Sequence, residues 1–241
     1  MLLPGLLLLS VCIACAPPPE ARRTWRQADG LPALWRLLDG ELGALHNLTV
    51  EADVELLQGD LRERATALVM LKGEELFRFE VRGPFYSHVF TAVQEGDSLT
   101  VYGPAVGGAW KGPARGTLLA QLTGIDLGAY SPVRALLGLV EPAVDSSAVD
   151  IEYPRADRSI ATFVERGVRR RLWLDMHRGL VLRERIERPS GMRLIERTMD
   201  EYVRVGEVLL PRRVEIEQGS SRIALRYKRY DVEREIGRAH V

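Results

Sequence analysis

From Asn47 onward, hydrophobic and polar residues alternate with a period of two. Leu48, Val50, Ala52, Val54 and Leu56 are interleaved with Thr49, Glu51, Asp53 and Glu55, the pattern of a strand with one face buried and one in water. Gly59-Asp60 turns it. The alternation resumes with Ala65, Ala67, Val69 and Leu71, turns at Lys72-Gly73, and continues through Phe77, Phe79 and Val81. Gly83-Pro84 breaks the run, and residues 87–94 and 98–102 predict two further strands. Short strands at turn spacing, without intervening helices, predict an antiparallel meander.

Elsewhere the period changes to one near 3.6. Asp29 predicts the cap of a helix carrying Leu31, Leu34, Trp35, Leu38 and Leu42. Residues 103–116, rich in glycine and proline around Trp110, read as a loop. Residues 117–123 and 132–138 then read as two short amphipathic helices, the second with Ser131 as N-cap and Pro132 at its first position. From Val149 the strands return, over 151–153, 160–165, 168–176, 180–188, 192–205, 213–217 and 222–230. Their turns are placed at Glu165-Arg166-Gly167, His177-Arg178-Gly179, Pro189-Ser190-Gly191, Gly206-Glu207 and Gln218-Gly219.

The predicted fold is mainly β, an unclosed antiparallel β-barrel of about 11–12 strands with short α-helices plugging its concave face. The inward positions of the first strands are mostly Val, Ala and Leu. A curl of this many strands is wide, so small inward side chains leave volume for a ligand or for covering helices.

Composition narrows the function classes. The chain has 241 residues, 46% of them hydrophobic, a size and apolar content suited to one β domain. Lys plus Arg equals Asp plus Glu at 33 each, so no net field draws in nucleic acid. Arg169, Arg171, Arg183, Glu184, Arg185, Glu187, Arg222, Arg226 and Lys228 sit at strand positions that fit either a groove for an acidic ligand or cross-strand Arg–Glu pairs on a solvent face. The second reading is the simpler.

Residues 1–14 form an apolar run too short to cross a bilayer, which takes about 20 residues, and they end at Ala14-Cys15. They read as a signal peptide. Cys15, followed by the tether residues 15–27 with Ala16-Pro17-Pro18-Pro19, looks like the lipidated cysteine of a bacterial lipobox; an ordinary cleaved signal peptide is the alternative. Both cysteines, Cys12 and Cys15, lie here, so the domain that follows has no disulfide or thiolate chemistry. The domain is expected to span 28–234. Residues 235–241 break the strand pattern and read as an adapter-encoded, non-native tail, so His240 carries no functional weight.

Catalytic motifs are missing from the sequence. It contains no Gly-x-Ser-x-Gly elbow, no His-Glu-x-x-His, no phosphate loop and no acid/histidine cluster at metal spacing. Asp175 and His177 are close in sequence, but their place beside a predicted turn suits a hairpin better than an acid–base pair. No cofactor, no metal and no enzymatic activity are expected.

The stretch from Leu122-Thr-Gly through Tyr130-Ser-Pro to Leu136-Leu-Gly138, preceded by strands carrying Gly83-Pro84-Phe85, resembles the LolA/LolB superfamily of lipoprotein carriers and outer-membrane receptors. The match runs in register over residues 48–140 and more loosely to Tyr230; the sequence after the plug is longer than in LolB, which suggests a separate LolB-like branch. The resemblance implies an acyl-chain cavity between sheet and plug, lined by Val54, Val69, Leu71, Phe77, Phe79, Val89, Leu119, Leu122, Leu136, Leu137, Leu172 and Leu174. It also implies a membrane-contact hairpin with Phe85 and Tyr86 at its tip; the alternative packs both rings onto the sheet. The implied protein is a lipid-anchored lipoprotein on the periplasmic face of the outer membrane. Its partners would be the acyl chains of lipoproteins or other lipid, outer-membrane lipid through N-terminal acylation, and a periplasmic carrier protein. A non-catalytic structural lipoprotein of an envelope complex is the alternative.

Overall fold

The structure, a computed structural model, describes residues 45, 47–72, 76–114, 120, 123–128, 130–141 and 149–232. The signal segment with Cys15, the helix expected over 31–42, Leu119, Leu122 and residues 235–241 lie outside them.

The described chain forms β1 (Asn47–Gln58), β2 (Leu61–Lys72), β3 (Leu76–Arg82), β4 (His88–Glu95), β5 (Ser98–Gly103) and β6 (Gly108–Pro113). Helix α1 (Pro132–Leu137) follows. The second set is β7 (Val149–Arg155), β8 (Arg158–Glu165), β9 (Val168–Asp175), β10 (Leu180–Glu187), β11 (Arg193–Val205), β12 (Val208–Gln218) and β13 (Ser221–Val232). All belong to one 13-stranded sheet in the order β6-β5-β4-β3-β2-β1-β13-β12-β11-β10-β9-β8-β7. Every pairing is antiparallel.

This order explains the plug. Two meanders join through their outermost strands in sequence, β1 and β13, so β6 and β7 become the sheet's free edges. The connection from β6 to β7 therefore links one free edge to the other, and among its described residues α1 packs against β12 with Val133, Ala135, Leu136 and Leu137 all buried.

The alternation in the sequence sets which face is inner. In β1 Leu48, Val50 and Ala52 are buried while Glu51 and Asp53 are exposed. Their partners follow suit through the register Val50↔Val69 and Ala52↔Ala67, and Val69↔Phe79 carries the apolar face into β3. α1 is only one and a half turns long and could not form alone in water. The Ser131 side chain accepts from the Arg134 amide at its start, and Gly138 ends it in the left-handed conformation at φ 72°.

Two expectations are corrected. Residues 103–116 do not form a loop throughout: Pro104–Val106 makes a 3-10 turn, and β6 pairs with β5 from Gly103↔Gly108 to Ser98↔Pro113. β6 hides from a periodicity argument because Gly108, Gly112 and Pro113 interrupt any alternation. β12 begins at Val208, five residues earlier than the sequence predicts, directly after the Gly206-Glu207 turn. Of the helix expected over 117–123, Ala120 and Thr123 are described and both are helical, with the Gly124 amide donating to the Ala120 oxygen at 2.7 Å.

Candidate functional site: an apolar cavity between sheet and plug

The concave face is not filled at one end. A cavity of about 560 Å³ lies between the sheet and the plug segment. Its floor is buried and apolar: Phe79 and Val81 from β3, Phe90 from β4, Ile216 from β12, Ile223 from β13, and Ile125 and Leu136 from the plug. Val54, Leu56, Ala65, Val89 and Leu127, half-buried, complete the wall. The exposed lining residues, Glu63, Arg64, Pro84 and Ala105, mark the mouth.

The mouth sits where several connections meet. β1 leads into β2, β3 into β4, β5 into β6 and β12 into β13 at the same end of the sheet, a consequence of the meander. The first and last of these turns are tied by the Gly59 amide donating to the Ser220 oxygen at 3.2 Å. The plug is anchored there too: the Asp126 amide donates to Gln218 Oε1 at 2.6 Å, and Gln218 Nε2 donates back to the Asp126 oxygen at 3.4 Å. Gly124, at φ 69°, lies so close that a Cβ would meet Gln58 Nε2 and Ser221 Oγ at 2.6 Å each.

Phe85 and Tyr86 occupy the β3–β4 connection, next to the mouth residues Gly83 and Pro84. Phe85 is 100% exposed and Tyr86 79%. Both sit in the left-handed region at φ 58°, costly for residues with a Cβ. The turn is held by the Ser87 hydroxyl and amide, which donate to the Pro84 oxygen at 2.9 and 3.3 Å. Leu61, at the neighbouring β1–β2 tip, is also 54% exposed.

Of the side chains singled out from the sequence, Val54, Phe79, Val89 and Leu136 line the cavity. Val69, Leu71, Phe77, Leu137, Leu172 and Leu174 are buried in the packed core beyond it. The stacked pair Phe77 and Phe79, with ring centroids 6.4 Å apart, marks the boundary between the two regions. Asp175 accepts from the amides of His177 and Arg178 at 3.1 Å each, an Asx-type turn rather than an acid–base pair.

Most of the charged ladder follows the simpler reading. On the outer face Arg185 reaches Glu196 at 2.8 Å, Arg169 reaches Glu187 at 3.4 Å and Arg222 reaches Glu55 at 3.1 Å. Glu184 is the exception. It faces inward, fully buried, between Arg170 and Arg197, with Arg197 Nε donating to it at 2.6 Å. Arg170 also reaches Glu165 at 3.3 Å and stacks on the rings of Phe163 and Tyr130, 5.3 and 5.4 Å from their centroids. Burial pushes the Glu184 carboxyl up, and the two guanidiniums outweigh it, holding that carboxyl below the ordinary carboxylate range. Sequence reasoning missed Arg170 and Arg197. Charged residues in runs such as Arg169-Arg170-Arg171 give no sign of which one points inward.

No family model matches the sequence, and no curated protein matches it. Solved structures do match in shape. A LolA superfamily protein from Nitrosomonas europaea aligns over 85% of this chain and 94% of its own, at 13% identity and TM-score 0.57. A DUF1329 family protein from Desulfovibrio piger aligns over 87% and 95%, at 12% identity and TM-score 0.60. A domain from Vibrio parahaemolyticus assigned to outer-membrane lipoprotein sorting aligns over 88% and 95%, at 9% identity and TM-score 0.57. With its unclosed antiparallel sheet and a plug laid across the concave face, the chain shares the fold of the LolA/LolB-like superfamily.

Proposed function

We propose that this chain is a non-catalytic acyl-chain binder, lipid-anchored through Cys15 on the periplasmic face of the outer membrane, that serves lipoprotein or lipid localisation. The observation that carries the reading is the apolar cavity opening beside a fully exposed phenylalanine. Water gains nothing from such a floor, whereas a hydrocarbon chain is stabilised by about 0.8 kcal/mol for each methylene it buries there. An aromatic tip at the mouth suits the membrane interface, from which a chain could pass into the cavity without crossing bulk water. The acyl chains of lipoproteins or other lipid are the ligand, and a periplasmic carrier protein would present lipoprotein cargo.

The test is mass spectrometry of the protein isolated from a bacterial envelope, before and after delipidation. Acyl lipid released from wild type, and greatly reduced when Ala65→Trp fills the cavity, is the expected result. Spectra free of lipid adducts would reduce the chain to a bracing role in an envelope complex. Labelling with a palmitate analogue, lost in Cys15→Ala, checks the anchor.

A further inference from the structure

We infer that the cavity holds one linear acyl chain at a time, with the polar head left in water beside Glu63 and Arg64. This rests on the acyl-chain reading above and narrows it to a class of ligand, the single-chain amphiphiles such as a fatty acid or a lysophospholipid, or to one chain of a larger lipid.

The cavity's volume sets the stoichiometry. A methylene fills roughly the same ~30 Å³ as a water molecule in the liquid, so a cavity of about 560 Å³ takes about 19 such groups. That is one chain of about 16–18 carbons, and two or three such chains would need about twice or three times the space.

The walls resist widening. On one side Phe79 and Phe90 meet with ring centroids 6.0 Å apart within a hydrogen-bonded sheet. Opposite them, Leu136 projects from α1, whose end is fixed by Tyr227 donating its hydroxyl to the Leu136 oxygen and by Arg197 donating to the Ala135 and Leu139 oxygens. Behind α1 there is no room to retreat: a Cβ on Gly138 would already meet Pro211 Cγ at 2.5 Å.

The distribution of polarity sets the direction of entry. Among the described residues every buried lining side chain is apolar, so a carboxylate or phosphate taken to that floor would be desolvated without a partner among them. The polar lining side chains among the described residues are Glu63 and Arg64 at the exposed mouth and Thr123 of the plug. The Arg64 side chain is 71% exposed and bonds to Glu55 at 3.2 Å, leaving further donors directed to solvent. The chain enters tail first.

The experiment titrates the delipidated full-length protein and counts bound ligand by native mass spectrometry. Its arms are palmitate, lysophosphatidylglycerol, dipalmitoyl phosphatidylglycerol and a triacyl lipopeptide. The expected result is saturation at one palmitate per chain, one-for-one displacement by lysophosphatidylglycerol, and at least tenfold weaker palmitate binding in both Ala65→Trp and Val89→Trp. Displacement by the two larger lipids while further acyl chains stay accessible to a water-soluble quencher also supports one-chain occupancy. Two or more palmitates per chain, or full shielding of all three lipopeptide chains, would overturn the inference and leave acyl-chain binding standing. Absence of binding in every arm would remove both.

Discussion

Arg197 donates through Nη1 to the main-chain oxygen of Leu139 at 3.1 Å, joining the middle of β11 to the exit of the plug helix. The same nitrogen reaches the Ala135 oxygen at 3.4 Å, while Nε binds Glu184. A helix end leaves carbonyls without intrahelical partners, and here a buried guanidinium supplies them. The plug is thus held by tertiary contacts rather than by its own helical propensity.

Arg197→Met should be costly. It leaves Glu184 with a single cation and strips the Ala135 and Leu139 oxygens of a donor, which predicts a loss of about 3–5 kcal/mol, the usual range for half of a buried pair. Arg169→Met removes a partly exposed pair with Glu187 and should cost no more than about 1 kcal/mol. Urea denaturation of both variants checks the contrast. Equal losses would mean that the buried cluster contributes no more than the surface ladder.

The same cluster sets a pH dependence. The Glu184 carboxyl lies below its ordinary value in the folded protein, and an unfolded glutamate titrates near about 4.3. Its contribution to stability is therefore complete above that pH and is lost as the pH falls through the lower, folded value. Glu80 and Glu196, also lowered, act in the same direction. Unfolding free energy measured from pH 7 to pH 3 should fall below about pH 4, and more steeply in wild type than in Glu184→Gln. Parallel curves would count against the cluster as an acid-sensitive element.

Gly138→Ala tests the seat of the plug. At φ 72° an added Cβ is strained, and it would meet Pro211 Cγ at 2.5 Å, Val214 Cγ2 at 2.9 Å and Met199 Cγ at 3.1 Å. Conformation and overpacking together predict a loss of about 2–4 kcal/mol. Gly59→Ala, also left-handed at φ 57° but with nothing within 4 Å, should cost about 1–2 kcal/mol, the conformational part alone. Thermal melts of the pair separate the two contributions.

These residues also show how far the sequence could be read. Alternation marked β1 to β5 and most of β7 to β13, because one face of each is wet. Ser131, Pro132 and Gly138 marked both ends of α1 through local chemistry that needs no tertiary knowledge. β6 was illegible, since its strand conformation is imposed by β5 and not by its own Gly-rich sequence. The buried cluster was illegible for a different reason. Arg170 and Arg197 find Glu184 across neighbouring strands, 14 and 13 residues away, and an inward arginine looks like an outward one until the partner strand is known. For the cavity, the choice of inward-facing residues was legible, but which of them border empty space depends on where the plug lies. Val54 and Val69 face the same way on paired strands, yet Val69 is sealed inside the packed core while Val54, at its margin, borders the cavity.

Phe85 offers a way to separate folding from membrane contact. It makes no buried contact, being 100% exposed, and it sits at φ 58°. Phe85→Gly should therefore leave the protein as stable as wild type or stabilise it by up to about 1 kcal/mol, because glycine adopts this conformation freely but gains entropy when unfolded. The same change should weaken binding to phosphatidylethanolamine/phosphatidylglycerol vesicles, measured by co-sedimentation with Cys15→Ala as background to remove the anchor. Phe85→Glu should weaken it further, since a carboxylate is penalised at the interface and not in the folded domain. Tyr86, 79% exposed beside it, should give a smaller effect as Tyr86→Gly, its hydroxyl already favouring water. Stability maintained with vesicle binding lost would show that the exposed ring serves membrane contact and not the fold. Vesicle binding unchanged in Phe85→Glu would remove the hairpin from the site and turn attention to Leu61, 54% exposed at the neighbouring β1–β2 tip.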